Sequence, residues 1–318
     1  MDNLTHTLTG LLLSRAGLNR FYPRSGLLLM IAANIPDIDI VTVARGPFTY
    51  FEQHRGITHS VAMAPVMALI PVLVVCAIGR TMRGWKAAWI LSLVGVASHL
   101  LLDWTNAYGI RFFYPFSERW FHLDLNNLVE LWIWAIFLIA CLAPFVGRLV
   151  SSEMGAKPGS GRGLAVFALV FLLAFEFGKG LSHQQALEIL NSRVYRDGPP
   201  LRAAAFPNRL ANPFEWSGWV ERPEFYVHFA SLNVLGDFDP ASGAVIYKPE
   251  PNAAMEAARK TFLVEKFLEF SQYPLWRVMP LSDPQGAQRV EVTDWRFPFT
   301  VTATVDSLNR VLGTSFHY

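Results

Sequence analysis

The sequence predicts a mostly α-helical polytopic membrane domain followed by a small antiparallel α+β soluble domain. Of its 318 residues, 52% are hydrophobic and only 16% are charged, whereas soluble domains are roughly a quarter charged. The charge is also uneven, because residues 1–181 hold 24 charged side chains and the shorter stretch 182–318 holds 28. We therefore assign residues 1–181 to the membrane domain and residues 182–318 to the soluble domain.

The membrane domain is predicted to contain about four transmembrane helices and a short N-terminal helical hairpin, since crossing the bilayer takes about 20 apolar residues. The four apolar stretches of sufficient length are 61–79, 85–104, 128–150 and 163–181. Two shorter apolar segments, 4–18 and 26–36, predict the hairpin. It either dips into the bilayer or lies in the interface, and its length fits both.

Basic residues in the connecting segments predict the orientation. One group lies between the first two spans and a second between the last two: Arg80, Arg83 and Lys86, then Arg148, Lys157 and Arg162. By the positive-inside rule both links are cytoplasmic, as is the hairpin tip with Arg15, Arg20 and Arg24. The loop 105–127 and the chain after residue 181 then lie on the outer face. The net charge of +2 gives no basic surface for nucleic acid, so no nucleic-acid partner is expected.

Ionisable residues at membrane depth are costly and therefore indicate function. His99 and Asp103 are four residues apart near the end of the second span, so they share one helix face. They could chelate one cation together, or Asp103 could hold the His99 imidazole in place. Near the end of the fourth span, Glu176 and Lys179 are expected to pair with each other or to snorkel.

Further His and Asp residues precede the first span. The segment HRGITHS at 54–60 supplies His54 and His59. Pro36 is expected to end the preceding helix, so that Asp37 and Asp39 project from an extended turn, and His6 lies near the start of the chain. Taken singly, these residues have structural alternatives as turn formers, caps, interfacial residues or helix–helix hydrogen bonders.

Together these residues predict a metal site, because the proposed orientation brings them all to the outer membrane face. The seven candidate ligands are His6, Asp37, Asp39, His54, His59, His99 and Asp103. Imidazole and carboxylate ligands favour a divalent transition metal, zinc first and manganese or iron next. Seven ligands exceed the three that a catalytic zinc takes, so a dinuclear site is the better prediction.

Catalytic roles can be suggested for three residues. Asp39 or Asp103 could orient a ligand or act as a general base. Arg55, beside His54, could clamp an anionic group such as phosphate, or it could equally be an interfacial arginine on lipid head groups. His122 and Asp124 lie on the same outer loop and remain second-tier candidates, since a loop histidine beside aromatic residues is more often structural.

Four segments carry a resemblance to a known family. MDNLTHTLTG at 1–10, PDID at 36–39, HRGITHS at 54–60 and SHLLLDW at 98–104 resemble the bacterial YdjM-like family, and TNAYG at 105–109 and YPFS at 114–117 are similar to its next segment. The resemblance covers roughly residues 1–150. It implies an inner-membrane metal-dependent hydrolase in which the seven His and Asp residues form the metal and catalytic set.

Two functional hypotheses follow from these observations. The first is a membrane-bound hydrolase at the outer face of the inner membrane, acting on an amphiphilic substrate such as a lipid-linked phosphoester or ester. The alternative is a non-enzymatic metal-binding scaffold or sensor whose C-terminal domain, extracytoplasmic in this orientation, recruits partners. The sequence identifies the lipid bilayer as a partner but no partner protein.

The tail is predicted to fold as strands around one helix. Residues 183–193 continue the last membrane helix, and 224–235 alternate as a strand does. Residues 253–270 show helical spacing of apolar side chains, which predicts one amphipathic helix. Two strands, around 290–292 and at 300–305, close the domain.

Overall fold

The computed structural model describes residues 1–153, 161–208, 212–283 and 285–317. As far as residue 191 the described chain consists of helices and the loops that join them, and after it two antiparallel sheets form, with two short helices between strands. The helix Arg162–Asn191 runs through residue 181, and the division into domains at 181 stays a prediction. Lys157, which the sequence analysis assigns to a basic link, lies outside the described residues.

Eight α-helices make up the first part of the described chain. They are α1 (Asn3–Arg15), α2 (Ser25–Ala32), α3 (Pro47–Gln53), α4 (Ala64–Met67), α5 (Leu69–Gly79), α6 (Trp85–Thr105), α7 (Leu131–Glu153) and α8 (Arg162–Asn191). Short 3-10 helices at Leu18–Arg20, Ile35–Arg45 and Ile57–His59 lie between them. The predicted N-terminal hairpin corresponds to α1 and α2.

By length and composition, three helices could each cross a membrane: Trp85–Thr105, Leu131–Leu149 and Arg162–Asn191. The number rises to five if two bent pairs each count as one span. These pairs are Ser25–Ala32 with Ile35–Arg45, bent by 43°, and Pro47–His59 with Ala64–Gly79, bent by 87°. The helical membrane region is therefore confirmed, and the span count lies between three and five.

The predicted first span, 61–79, is not one continuous helix. Val61 donates its backbone N–H to the carbonyl of Phe112, so the helix begins only at Ala64. Pro71 cannot donate a backbone hydrogen bond, and the helix is interrupted at Ala68 between α4 and α5.

The segment after α2 also differs from the prediction. Asp37 and Asp39 were expected on an extended turn, but Ile35–Arg45 is an eleven-residue 3-10 helix with Pro36 in its first turn. Proline is tolerated there because the first N–H groups of a helix have no intrahelical partner. The tighter 3-10 spacing keeps both aspartates close to the end of α2.

Small residues allow three helices to approach closely beneath these aspartates. A Cβ at Gly95 of α6 would lie 2.6 Å from the Cβ of Ala32 in α2, and one at Gly10 of α1 would meet the backbone of Leu29. Such contacts between small residues are typical of helices packed in membranes. Because His6 is one turn before Gly10 and His99 one turn after Gly95, the close packing fixes both imidazoles.

The C-terminal part forms two four-stranded antiparallel sheets with strand orders β1-β2-β3-β4 and β5-β6-β7-β8. The strands are β1 (Arg202–Pro207), β2 (Glu215–Glu221), β3 (Phe225–Asn233), β4 (Ala244–Tyr247), β5 (Pro274–Pro280), β6 (Gln288–Asp294), β7 (Phe297–Val305) and β8 (Val311–His317). The predicted α+β character is confirmed. The one helix expected at 253–270 is two, α9 (Ala253–Arg259) and α10 (Phe262–Phe270), because the helix stops at Lys260.

The second sheet packs against the helical region through aromatic side chains. Phe51 of α3 is 2% exposed and lies in one core cluster with Phe267 and Phe270 of α10 and with Phe299 of β7. Trp120, in the loop between α6 and α7, belongs to the same cluster. The C-terminal region is thus held against the end of the bundle that carries the His and Asp residues.

Substitution of Gly95 by alanine tests the close packing of α6 on α2. The added methyl group must displace Ala32, so we expect Gly95→Ala to lower the free energy of unfolding by about 1–3 kcal/mol. The measurement is thermal or denaturant unfolding of the purified protein in detergent. Gly178→Ala on α8 is the control, because a Cβ there meets no described atom within 4 Å; equal losses in both variants would contradict the packing argument.

Candidate metal centre

Five segments bring the predicted ligands to one place. His6 lies on α1, Asp37 and Asp39 on the 3-10 helix after α2, and His99 and Asp103 on α6; His54 directly follows α3, and His59 ends the 3-10 helix Ile57–His59. All are at least partly buried, and the side chains of His6, His59, His99 and Asp103 are at most 1% exposed. The structure therefore groups all seven residues.

Four of these residues could hold one metal ion. Ligand atoms of Asp37, His59, His99 and Asp103 all lie within 4.8 Å of one another. His59 Nε2 is 3.1 Å from His99 Nε2 and 3.3 Å from Asp37 Oδ1. His99 Nε2 is 3.3 Å from Asp103 Oδ2 and 3.7 Å from Asp37 Oδ1. Four ligands bound tetrahedrally at about 2.0–2.2 Å lie about 3.3–3.6 Å apart, which matches this group.

Hydrogen bonds orient the two imidazoles toward this point. His99 Nδ1 donates to the carbonyl of Ala33 at 2.7 Å, which leaves the lone pair of a neutral imidazole on Nε2. His59 Nδ1 faces Thr58 Oγ1 at 3.0 Å and Asp39 Oδ2 at 3.4 Å, and these contacts favour the same tautomer. Hydrogen bonds of this kind to the second ring nitrogen are usual for metal-binding histidines.

A second group shares Asp37 with the first. Asp37, Asp39 and His54 also present ligand atoms within 4.8 Å of one another. Asp39 Oδ1 lies 3.0 Å from His54 Nδ1, while Asp39 Oδ2 accepts from the backbone N–H of Arg55 at 3.0 Å. Asp39 is therefore placed either to bind a second ion or to orient His54, as the sequence analysis left open.

His6 lies beside the centre but belongs to neither group. Its ring stacks on that of His99, with 3.9 Å between the centroids, and its Nε2 is 3.3 Å from Asp103 Oδ1. Neither ring nitrogen of His6 has a hydrogen-bond partner among the described residues. The role of His6 as a ligand remains a prediction.

Asp103 is the most heavily contacted carboxylate. Its Oδ1 meets the amino group of Met1 and lies 3.1 Å from Nη2 of Arg55. Its Oδ2, which faces His59 and His99, accepts no hydrogen bond from the described residues. A buried carboxylate oxygen without a donor is costly, and a bound cation would remove that cost.

Arg55 is built into the centre. It is 3% exposed, donates from Nη1 to the carbonyl of Gly109 at 3.0 Å, and lies over the ring of Tyr108 at 4.9 Å. Its Nε has no partner among the described residues. The alternative of an interfacial arginine among lipid head groups does not fit this burial, and the anion clamp stays a prediction.

A cavity of about 590 Å³ opens above the centre. Asp37, His54 and Arg55 line its floor. Residues that the sequence analysis did not single out line the rest, including Tyr50, Asn106, Tyr108, Asn126, Phe206, Arg296 and Phe297. Tyr108 falls in the TNAYG segment that resembles the family, which was a usable signal. Residues after 200 carried no such signal, because only the tertiary fold brings them to the site.

Arg296 anchors the cavity wall that the second sheet supplies. It donates from Nε to Asp294 Oδ1 at 2.9 Å and from Nη1 to the carbonyl of Ala107 at 2.8 Å. Burial acts to lower the pKa of the Arg296 guanidinium, but Asp294 more than offsets this, and the pKa lies above its ordinary value. Arg296 is therefore charged, and it ties β6 and β7 to the loop after α6.

The second-tier candidates lie apart from the two ligand groups. His122 Nδ1 is 2.8 Å from Asp124 Oδ1, so these residues pair with each other.

Glu176 and Lys179 do not pair with each other, which was one of the two arrangements expected for them. Lys179 Nζ instead lies 3.7 Å from Glu130 Oε1, and Glu176 Oε1 accepts from Asn126 at 2.6 Å.

Comparison with known proteins gives one family and one curated relative. The sequence matches the family described as YdjM inner membrane protein over residues 1–186. It is similar to the uncharacterized protein YfhP of Bacillus subtilis (strain 168), with 28% identity over 158 residues. That alignment covers 46% of this chain and 47% of the relative, so the chain spans about half the length of the curated relative that it matches. No solved structure matches the chain.

Metal content tests the first ligand group. We expect the purified protein to carry a stoichiometric divalent transition metal, and the double substitution His99→Ala with Asp103→Ala to lose it, because two of four ligands disappear. Elemental analysis by inductively coupled plasma mass spectrometry gives the metal-to-protein ratio. His317→Ala, an exposed histidine on β8, should leave that ratio unchanged. Full metal content in the double variant would rule out this ligand group.

Proposed function

Because the chain belongs to the YdjM inner membrane protein family and its His and Asp residues could hold a metal ion, we propose that it is a membrane-bound metal-dependent hydrolase. The single observation that carries the proposal is the convergence of Asp37, His59, His99 and Asp103, of which Asp37 also lines a cavity of about 590 Å³. A metal-binding scaffold or sensor has no need of a cavity that reaches its ligands. The geometry therefore favours the enzyme over the scaffold.

The residues of the centre would have different roles in the proposed hydrolysis. Asp37, His59, His99 and Asp103 would hold one ion, and Asp37, Asp39 and His54 would hold the second ion of a dinuclear site. Bound divalent ions supply Lewis acidity and lower the pKa of water toward about 7. Arg55 keeps an unpartnered Nε–H among the described residues, so it can donate to an anionic oxygen of the substrate.

A second opening supports an amphiphilic substrate. A groove of about 460 Å³ is lined by Asn3, Thr7, Met30, Ile31, Asn34, Ile35, Asp37 and Ile38. It lies against the bent pair Ser25–Ala32 and Ile35–Arg45, a candidate membrane segment, so hydrocarbon would surround it if that pair is embedded in the bilayer. Asp37 lines both the groove and the cavity. A lipid-linked phosphoester or ester would place its chain in the groove and its scissile bond near Asp37.

The distribution of basic residues supports a site at the outer face. Arg162, the first residue of α8, donates from Nε to the carbonyl of Ala16 at the hairpin tip at 2.9 Å, and Tyr22 packs against Gly84 before α6. The basic links therefore gather at one end of the bundle. His99 follows Lys86 by 13 residues of α6, which is about 20 Å along the helix. With basic links inside, the centre and the C-terminal region are outside.

Hydrolysis of lipid substrates tests the reaction and the groove together. The metal-loaded protein is assayed on phosphodiester, phosphomonoester and carboxylester lipids, and Asp37→Asn is expected to abolish turnover of whichever is cleaved. Met30→Trp should fill the groove and slow a long-chain substrate by at least about tenfold through misplacement of the scissile bond. It should leave a short-chain, water-soluble analogue nearly unaffected.

The control for the groove is Ile78→Trp, an exposed position on α5 outside the groove lining. Hydrolysis of none of the three classes would contradict the proposed function. Equal slowing of long-chain and short-chain substrates by Met30→Trp would contradict the groove alone.

Cysteine labelling tests the orientation. Cys76 and Cys141 are buried, so single exposed cysteines can be introduced at Ser307 after β7 and at Arg83 before α6. In intact spheroplasts a membrane-impermeant maleimide should label Ser307→Cys and should label Arg83→Cys only after lysis. The reverse pattern would put the centre on the cytoplasmic side.

A further inference from the structure

The cavity wall above the metal centre contains a buried amide with one unused acceptor. Asn126, in the loop between α6 and α7, lines the cavity and is 0% exposed. Its Nδ2 donates to Thr105 Oγ1 at 2.9 Å and to Glu176 Oε1 at 2.6 Å. Its Oδ1 has no hydrogen-bond partner among the described residues. The Thr105 hydroxyl donates its hydrogen to the carbonyl of Leu102, so it accepts from Asn126 and thereby fixes which end of the amide faces it.

The unpaired oxygen Asn126 Oδ1 restricts which ligands the cavity can bind favourably. It calls for a donor, such as a hydroxyl group, and it repels a phosphate or carboxylate oxygen. A choline head group offers no N–H or O–H and would leave Asn126 Oδ1 unpaired. The neighbouring Asn127 also lines the cavity, and its amide donates to the carbonyl of Asn208 at 2.8 Å.

Aromatic rings also line the cavity. Tyr108 and Phe297 line the cavity, and their ring centroids are 5.3 Å apart. Phe297 also stacks on Phe299 at 5.5 Å. Flat apolar faces beside a few polar groups are typical of small-molecule sites. Such a wall fits a ligand with C–H faces between its hydroxyl groups.

Among head groups that carry hydrogen-bond donors, the volume of the cavity favours the larger ones. Its volume of about 590 Å³ lies within the roughly 300–1,000 Å³ of sites that hold drug-sized ligands. A glycerol or ethanolamine head group would leave most of this space unfilled. One or two sugar rings would occupy it and would present hydroxyl groups in several directions.

We propose that this cavity binds the sugar head group of a membrane glycolipid, with a sugar hydroxyl donating to Asn126 Oδ1 and a ring face on Phe297. The inference deepens the proposed function, on which it rests for the use of one cavity by substrate and reaction. Phe297 lies outside the residues 1–186 that match the family. The choice of head group therefore depends in part on the C-terminal region of this chain.

The test compares amphiphiles that share one alkyl chain and differ in the head group. The full chain, held in amphipol, is titrated calorimetrically with dodecyl maltoside and with dodecylphosphocholine below their micelle concentrations. We expect the maltoside to bind at least about tenfold more tightly, since only it can satisfy the buried acceptor. Asn126→Ala should remove most of that difference.

A second variant keeps the proposal testable if Asn126→Ala does not fold. Phe297→Leu preserves an apolar side chain while removing the flat ring, and it should weaken maltoside binding by about fivefold without changing phosphocholine binding. Asn191→Ala, at the exposed end of α8, is the matched control. Thermal unfolding of each variant shows which of them are folded.

The proposal is overturned if the phosphocholine binds as tightly as the maltoside. It is also overturned if lysophosphatidylglycerol or lysophosphatidylethanolamine binds more tightly than the maltoside, or if every folded variant binds as the unchanged protein does. The titration involves no bond cleavage. Selective maltoside binding without lipid hydrolysis would contradict the proposed function alone, whereas hydrolysis without head-group preference would contradict this inference alone.

Discussion

The main constraint on this structure is a group of imidazole nitrogens and carboxylate oxygens that face one another in the interior of a helical bundle. Nε2 atoms of His59 and His99 lie 3.1 Å apart, beside oxygens of Asp37 and Asp103. The carboxylates of Asp37 and Asp103 place ligand atoms within 4.8 Å of each other. Two like unit charges about 4 Å apart repel by roughly 4 kcal/mol at an effective dielectric constant of about 20. Arg55 offsets part of this repulsion at Asp103. A bound divalent cation would offset the remainder, so metal binding and folding of this region are expected to be coupled.

The close helix packing and the C-terminal region serve this centre in different ways. Contacts between Gly95 and Ala32 bring α6 against α2, and the Ala33 carbonyl then fixes the ring of His99. These contacts lie within the region that matches the family, which supports assigning the chemistry to it. Arg296 and Phe297 lie outside that region and form part of the cavity wall. If the proposed hydrolysis holds, bond cleavage would fall to residues 1–186, and head-group choice largely to the sheets.

Much of the centre could be predicted from the sequence because charged residues are rare in a membrane domain. The i, i+4 spacing of His99 and Asp103 defined one helix face, and the basic links defined the opposite end. The sequence could not reveal the 3-10 helix at Ile35–Arg45, since an apolar segment with Pro36 also fits a turn. It could not reveal the partner of Arg55 or the contribution of Phe297, because both depend on contacts between residues far apart in the chain.

We expect imidazole and carboxylate groups, with no thiolate, to hold a transition metal at this place. X-ray absorption spectroscopy of the purified protein tests it most directly, because the method reports the ligand atoms of the bound metal. We expect a nitrogen and oxygen shell at about 2.0–2.2 Å with the scattering pattern of imidazole rings. A sulfur shell near about 2.3 Å, or a metal bound without imidazole, would contradict it.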